Sequence, residues 1–223
     1  MYRLTFFFCK ACCCKLYFIY IFANMTDVFN DKSERHPLKP FISPKVRVMM
    51  IGSFPPARSK WNMEFYYPNF QNDMWRIFGL VFFDNKDYFL VDDKKSFNVE
   101  LLKTTLTEKG VGIGDMGLEI IRLKGNASDK YLQIVQPLNI LELLSHIPLC
   151  NTFVAAGDKA AETFRLQFPG KIKHPPSGGC VSFSYDEREF KLYRMPSSSR
   201  AYPMALTKKA EIYKQCFKEI GLL

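Results

Sequence analysis

The sequence has only three histidines, and its first 24 residues carry no acidic side chain. The histidines, His36, His146 and His174, lie far in sequence from the serine-rich stretches, and no Gly-x-Ser-x-Gly is present. Both absences count against a serine hydrolase. The Gly and Lys spacing of a Walker loop or a dinucleotide fingerprint is also missing. The longest uncharged run of the apolar opening stretch, Leu16 to Thr26, is 11 residues, where a membrane-spanning helix needs about 20. With 48% apolar and 24% charged residues, the composition excludes a disordered, collagen-like or multi-span membrane chain.

Cysteine is unevenly placed. Cys9, Cys12, Cys13 and Cys14 crowd into six positions, too close for all four to reach one tetrahedral ion, and no second pair follows at a fitting distance. Cys150, Cys180 and Cys216 are scattered and odd in number, which suits free thiols in a reducing compartment. Residues 1–24 read as a leader outside the fold. Their residue types are those of T- and A-rich codons, so Met25 is the expected natural start; a membrane-directed leader is the other reading. Residues 25–43 form a polar, Pro-punctuated lead-in, and 44–222 one α/β domain, long enough to bury about 70% of its unfolded surface.

What is present in excess is positive charge. Lys and Arg number 31 against 22 Asp and Glu, a net +9, of which Arg3, Lys10 and Lys15 supply three. The main domain keeps +6, which favours a polyanionic partner, nucleic acid or an anionic membrane face.

Val46 to Ile51, ending at Gly52, predicts a buried strand. Asn72–Leu80 and Ser96–Lys109 predict helices, the second stopped by Gly110. Val111–Asp115 predicts a second strand, and Pro137–Ile147 a helix with proline at its first position. Thr152–Ala156 predicts a third strand, followed by a helix from Gly157-Asp158 through Phe164. Ser182–Met195 alternates around residues 186–189 and predicts a hairpin whose second arm is the fourth main strand. In the last helix Leu206, Ala210, Tyr213, Phe217 and Ile220 form the apolar stripe, with Lys208, Lys209, Lys214 and Lys218 expected outward. Strands alternating with helices imply a mostly parallel sheet covered on both faces.

Ligands of such sheets bind at the carboxyl ends of the strands. The loops expected there are Gly52-Ser53-Phe54-Pro55-Pro56, Gly112 to Asp115, Ala156 to Lys159, and Met195-Pro196-Ser197-Ser198-Ser199-Arg200. The last offers hydroxyls, backbone donors and a cation suited to a phosphate diester. Between the outer two lies Tyr66-Tyr67-Pro68-Asn69-Phe70-Gln71-Asn72-Asp73-Met74-Trp75, whose aromatics and amides suit a pocket for a planar ring. Asn72 alternatively reads as a plain helix N-cap, Tyr66 and Tyr67 as a packed core edge, and Asp73 and Asp115 as a first-turn helix acid and a turn residue.

These residues carry a resemblance. Gly52 to Pro56, Ser59, the Tyr-Tyr-x4-Asn-x2-Trp segment, Phe153 to Ala160 with Gly157 and Lys159, and Pro196 to Ser199 resemble the uracil-DNA glycosylase superfamily, in its mismatch-specific and hypoxanthine-acting branch. The match spans about residues 44–222. It implies a three-layer α/β/α sandwich around a four-stranded, mostly parallel sheet. The implied activity is monofunctional hydrolysis of the N-glycosidic bond of a deaminated base, uracil or hypoxanthine, flipped out of DNA for base excision repair. No metal and no organic cofactor are implied. The implied protein is a cytoplasmic monomer, nucleoid-associated in a prokaryote, without stable membrane association. By the resemblance Asn72 positions or activates the water; by position, Asp73, one residue beyond it, and Asp115, after the second strand, are back-up candidates for a general base. Gly52, Ser53, Phe54, Pro55, Tyr66 and Tyr67 wall the base. Arg58, Ser59, Lys159 and Pro196 to Arg200 face the DNA. The sequence departs from the family in having no acid in the first motif and no histidine in the last; Pro56 stands for a glycine, and Arg200 and Tyr202 for a proline and an asparagine. Two rival readings are a nucleic-acid-binding module without catalysis and an unrelated hydrolase with a nucleophile at Ser53 or Ser197–Ser199.

Binding to a short DNA duplex is expected to weaken steeply with salt, with a log–log slope of about −0.9 per phosphate contact. The candidate contacts are Arg58, Lys60, Lys173, Arg200 and Lys208. Titration at several salt concentrations checks this: Arg200→Ala makes the slope shallower by about one, and an affinity independent of salt contradicts it.

Overall fold

The structure, a computed structural model, describes residues 33–91, 95–124 and 129–223. The leader read at 1–24 and residues 25–32 of the lead-in lie outside the described residues. The chain divides into two units, 1–34 and 35–223; everything below concerns the second, apart from a short strand β1 (Ser33–Arg35) that spans the division. No described helix is long and apolar enough to cross a membrane.

Strand β2 (Val48–Gly52) is buried along its whole length, as a parallel strand covered on both faces must be. It pairs in parallel with β3 (Val111–Asp115) on one side and β6 (Thr152–Ala155) on the other. β6 pairs in parallel with β8 (Arg188–Arg194), and β8 pairs antiparallel with β7 (Gly179–Tyr185). The strand order is β3-β2-β6-β8-β7. The sheet therefore has five strands rather than the four expected: four are parallel, and the first arm of the hairpin adds an antiparallel edge. Asp186 and Glu187 at its turn have φ of 49° and 58°, as a two-residue turn of the twist-matching hand requires. A second correction is an antiparallel pair, β4 (Gly117–Arg122) with β5 (Leu132–Pro137), in the stretch that sequence periodicity had left without elements.

Alternate residues of β2 feed two cores. Val48 and Met50 point into one with Trp75, Phe78, Leu102, Leu106, Tyr213 and Phe217, which come from helices α1 (Met74–Phe83), α2 (Val99–Lys109) and α5 (Leu206–Glu219). Met49 and Ile51 point into the other with Leu143, Phe153, Phe164 and Phe190, where α3 (Ile140–His146) and α4 (Asp158–Arg165) lie. The result is helices on both faces of a mixed sheet.

The helix ends follow local chemistry. Asn98 Oδ1 accepts from Leu101 N at the start of α2, and Gly110, with φ of 66°, closes it. α3 starts later than expected: Pro137 ends β5, and Asn139 is the cap, its side chain accepting from Glu142 N. The stripe of α5 holds a surprise, since Lys209 is wholly buried, not outward. The segment from residue 35 belongs with the sheet unit, and Phe41 exchanges backbone hydrogen bonds with Ile113. Cys150, Cys180 and Cys216 are free thiols, and burial pushes Cys150 up to about 12, which leaves it unreactive.

Phe153 is wholly buried and its ring centroid lies 4.5 Å from that of Phe164. Phe153→Ala is expected to cost about 3–5 kcal/mol, read as a thermal melt lowered by roughly 10 °C. A loss below about 1 kcal/mol contradicts this account of the second core.

Candidate active site

The carboxyl ends of β3, β2, β6 and β8 lie side by side, and three of the four loops expected from the sequence leave the sheet there; the fourth, Gly112 to Asp115, is not a loop but part of strand β3, paired with β2. At the first pair, Gly52 stands in register with Asp115. A Cβ on Gly52 would lie 2.1 Å from Asp115 Oδ1 and 3.3 Å from the Tyr67 hydroxyl. Only glycine admits the carboxylate at that place. The other oxygen, Oδ2, accepts from His36 Nε2 at 2.9 Å, with side-chain exposures of 3% for the histidine and 9% for the aspartate. The imidazole is itself held. It stacks on Tyr66, with centroids 5.8 Å apart, meets the edge of Phe54 at 5.2 Å, and places Nδ1 2.7 Å from the Leu38 carbonyl and 3.0 Å from Leu38 N.

Tyr66 and Tyr67 complete this corner. Tyr66 gives its carbonyl to Trp75 Nε1. Tyr67 sits at a φ of 51°, an uncommon conformation for a bulky residue. Its hydroxyl is buried without a hydrogen-bond partner among the described residues, which costs about 1–3 kcal/mol. Burial, and next Asp115, push both phenols well above their ordinary range. On the Gly52–Pro56 loop, Ser53 Oγ donates to Asp129 Oδ1 at 2.6 Å. Pro55 O accepts from Arg122 Nη2 at 2.6 Å, and the Arg122 guanidinium lies over Phe54 at 5.3 Å. Burial raises the Asp129 carboxyl above the usual range; Ser53 opposes this and Asp115 adds to it.

The last-strand loop is tied to the start of α1. Asp73 N donates to Ser198 O, Lys209 Nζ donates to Asp73 Oδ2 at 3.1 Å and to Ser199 O at 2.8 Å, and Arg200 Nε donates to Asp73 Oδ1 at 2.9 Å. Pro196 O accepts from the Tyr213 hydroxyl. Ser197 Oγ and Ser199 Oγ accept from the backbone N–H groups of Ser199 and Ala201. Asp73, a sequence candidate for general base, thus has both oxygens engaged and serves as a tie. Asn72 Oδ1 accepts from Met74 N at 2.9 Å, so its amide is fixed at the helix start, though Asp73 holds the capping position. Among the described residues no hydrogen bond joins Asn72 to Asp115 or Ser53.

The other expected contact residues are spread wider. Arg58 pairs with Glu64 and lies over Trp61 at 4.2 Å. Ser59 lines an open groove of about 380 Å³ with Lys60, Asn62, Asn69 and Phe70. Lys159 pairs with Glu162 at 3.5 Å. Beside it Asp158 accepts from His174 Nε2 at 2.8 Å and from Arg194, and the histidine is the first cause that holds its carboxyl below the usual range. Among the described residues neither His36 nor His174 bonds to a serine side chain. Among the described residues, no three His, Cys, Asp or Glu side chains group as a metal set.

Sequence reasoning missed His36, Asp129 and Lys209. Lys209 had a signal, since it falls three residues after Leu206 and four before Tyr213, within the apolar stripe, where a charge needs a buried partner. His36 and Asp129 stand in irregular segments without periodicity.

No family model matches the chain, and no curated protein matches it. Among solved structures it is similar to the solution NMR structure of a protein from Methanosarcina acetivorans described as a "putative Uracil DNA glycosylase". The TM-score is 0.57 at 16% identity, over 84% of this chain and 98% of that one. At that identity the likeness is one of fold.

Removing Lys209 takes away the buried cation bonded to Asp73 and leaves it the half-exposed Arg200, with the Arg76 guanidinium nearby. Lys209→Met is expected to lower stability by about 3 kcal/mol or more and to make the Ser197–Arg200 loop accessible to amide exchange. A melt within about 1 kcal/mol of the parent, with the loop still protected, contradicts the tie.

Proposed function

We propose that the chain is a DNA glycosylase that hydrolyses the N-glycosidic bond of a deaminated base, uracil or hypoxanthine, extruded from the duplex into the corner at the ends of β2 and β3. The observation that carries this reading is the Asp115 carboxylate set over Gly52, beside a buried Tyr67 hydroxyl that has a hydrogen bond still to make. The shared fold with the Methanosarcina acetivorans structure and the basic charge of the domain support it.

A stacked base is out of reach, and extruding it costs a few kcal/mol, least for a mispaired one. In this reading Phe54 and Tyr66 wall the flipped ring, and the Tyr67 hydroxyl and the backbone N–H groups of Ser53 and Phe54 meet its polar edge. As the C1′–N bond stretches, positive charge gathers on the sugar and negative charge on the base. Oriented donors stabilise the second, and the Asp115 carboxylate together with the DNA phosphates stabilises the first. Water attacks C1′ and gives a proton to Asp115, whose orientation His36 fixes from the far oxygen. Asn72, its carbonyl held by Met74, offers its Nδ2 donors to that water. Asp115 thus supplies the acid that the first motif lacks, from the neighbouring strand. The Ser197–Arg200 loop, held rigid by Asp73 and Lys209, grips the flanking phosphates with its backbone donors and Arg200.

Single-turnover excision from uracil- and hypoxanthine-containing duplexes, with cleavage at abasic sites as readout, tests the proposal. Wild type releases base. Asp115→Asn and Asn72→Ala each lower the rate by roughly 10²–10³, while the melts stay within about 1 kcal/mol of wild type. A rate within about threefold of wild type removes that residue from the reaction. Binding without release of either base favours the non-catalytic module instead.

A further inference from the structure

Asp129 borders the same corner, and the reaction above gives it no task. It opens a short 3-10 turn, Asp129–Tyr131. Its Oδ1 accepts from Ser53 Oγ at 2.6 Å, so the carboxyl is anchored to the loop that walls the base. Its Oδ2 lies 3.7 Å from where a Cβ on Gly157 would stand, so the carboxyl sits between the loop after β2 and the residue after β6. The charged and titratable groups around it are Asp115 on β3, Tyr67, and Asp158 and Lys159 on α4. Two aspartates to one lysine, with partial burial, make a site that favours the uncharged carboxyl. Its partner carboxylate, Asp115, differs in kind, since an imidazole N–H holds it. Where two carboxyl groups share a site and their surroundings separate them, one serves as acid and the other as base.

We propose that Asp129 is the catalytic acid of this site, delivering a proton from Oδ2 to the departing base. The assignment rests on the glycosylase reading. The C1′–N bond breaks with its electron pair going to the base nitrogen. The Asp129 O–H bond breaks, its proton goes to a ring nitrogen or keto oxygen of the base, and Asp129 is left as carboxylate. The water oxygen forms the new bond to C1′ and its proton passes to Asp115. One water is consumed, a neutral base and an abasic sugar are formed, and proton exchange with solvent resets the pair. The same O–H gives a chemical reason for preferring deaminated bases, which present keto oxygens where cytosine and adenine present amino donors.

The test is single-turnover excision across pH, with uracil against 5-fluorouracil and hypoxanthine against xanthine; the second base of each pair is the better leaving group and needs the acid less. The wild-type rate falls as pH rises through the raised Asp129 value, because the acid form is lost. Asp129→Asn lowers release of uracil or hypoxanthine by about 10²-fold, loses much less on the better leaving group, and has no alkaline limb. Ser53→Ala removes a bond that holds the carboxyl down, so its alkaline limb moves to higher pH even if its overall rate falls. Melts give a readout apart from activity. A carboxyl raised in the folded state costs stability as pH rises above its unfolded value, so the melt of Asp129→Asn gains on that of wild type between acid and mildly alkaline pH. Equal losses on both bases of a pair, an alkaline limb that survives in Asp129→Asn, or wild-type rates in that variant overturn the assignment. Absence of excision by the wild type itself overturns the glycosylase reading, and the acid with it.

Discussion

Where β2 and β3 end together, the side chain that Gly52 lacks leaves the room that the Asp115 carboxylate occupies, with 2.1 Å between Oδ1 and any Cβ that might be added. Much of the corner follows from that contact. The carboxylate's Oδ1 lies over Gly52, and His36 takes the far oxygen, Oδ2. The chain before the sheet runs beside β3 there, with Phe41 bridged antiparallel to Ile113. The imidazole then fixes Tyr66 and Phe54 by ring contact, and Tyr67 is left with a hydroxyl that no described residue satisfies. An unmade hydrogen bond at a rigid aromatic corner is a cost to the free protein that a ligand can remove.

The other half of the crevice is organised by ions. Lys209 at 0% exposure would be a large liability alone, since burying an unpaired charge costs several kcal/mol. Asp73 and the Ser199 carbonyl meet its needs. What the fold gains is position. The start of α1 is distant in sequence from the loop after β8 and the first turns of α5, and one carboxylate joins them. Arg200, also on Asp73, remains half exposed, and its guanidinium is both a strut and a cation at the surface.

Much of the sheet was legible in the sequence because buried parallel strands read as short apolar runs ending in Gly or Asp, and Val46 to Gly52 and Val111 to Asp115 are of that kind. The turn after Gly52 and the serine loop could be found because proline, glycine and serine punctuate them. The antiparallel pair β4–β5 could not. Its strands are half buried, with a register shift about Glu119, so neither two-fold alternation nor a continuous apolar run marks them. The first arm of the hairpin was legible from its alternation before residues 186–189, but not that it joins the main sheet as a fifth strand, since β7 is an edge strand that is nowhere fully buried. At the site, Asp115 was visible as the end of a strand, but its partner lies 79 positions away in a segment whose composition signals only a turn-rich lead-in. Asn72 was visible through its spacing to Tyr66, Tyr67 and Trp75. The structure gives it a local bond to Met74, leaving its part in the reaction to chemistry rather than to contacts.

The central claim is that a base leaves the duplex and lodges against Asp115. A crystal structure with a duplex carrying a 2′-fluorinated deoxyuridine or deoxyinosine, whose glycosidic bond resists hydrolysis, addresses it directly. The account predicts a nucleotide turned out of the helix, its base between Phe54 and Tyr66 with the Tyr67 hydroxyl on its polar edge, C1′ facing Asp115, and phosphates against Ser197 to Arg200. A duplex bound with every base stacked, or a flipped base lodged away from Gly52 and Asp115, contradicts it.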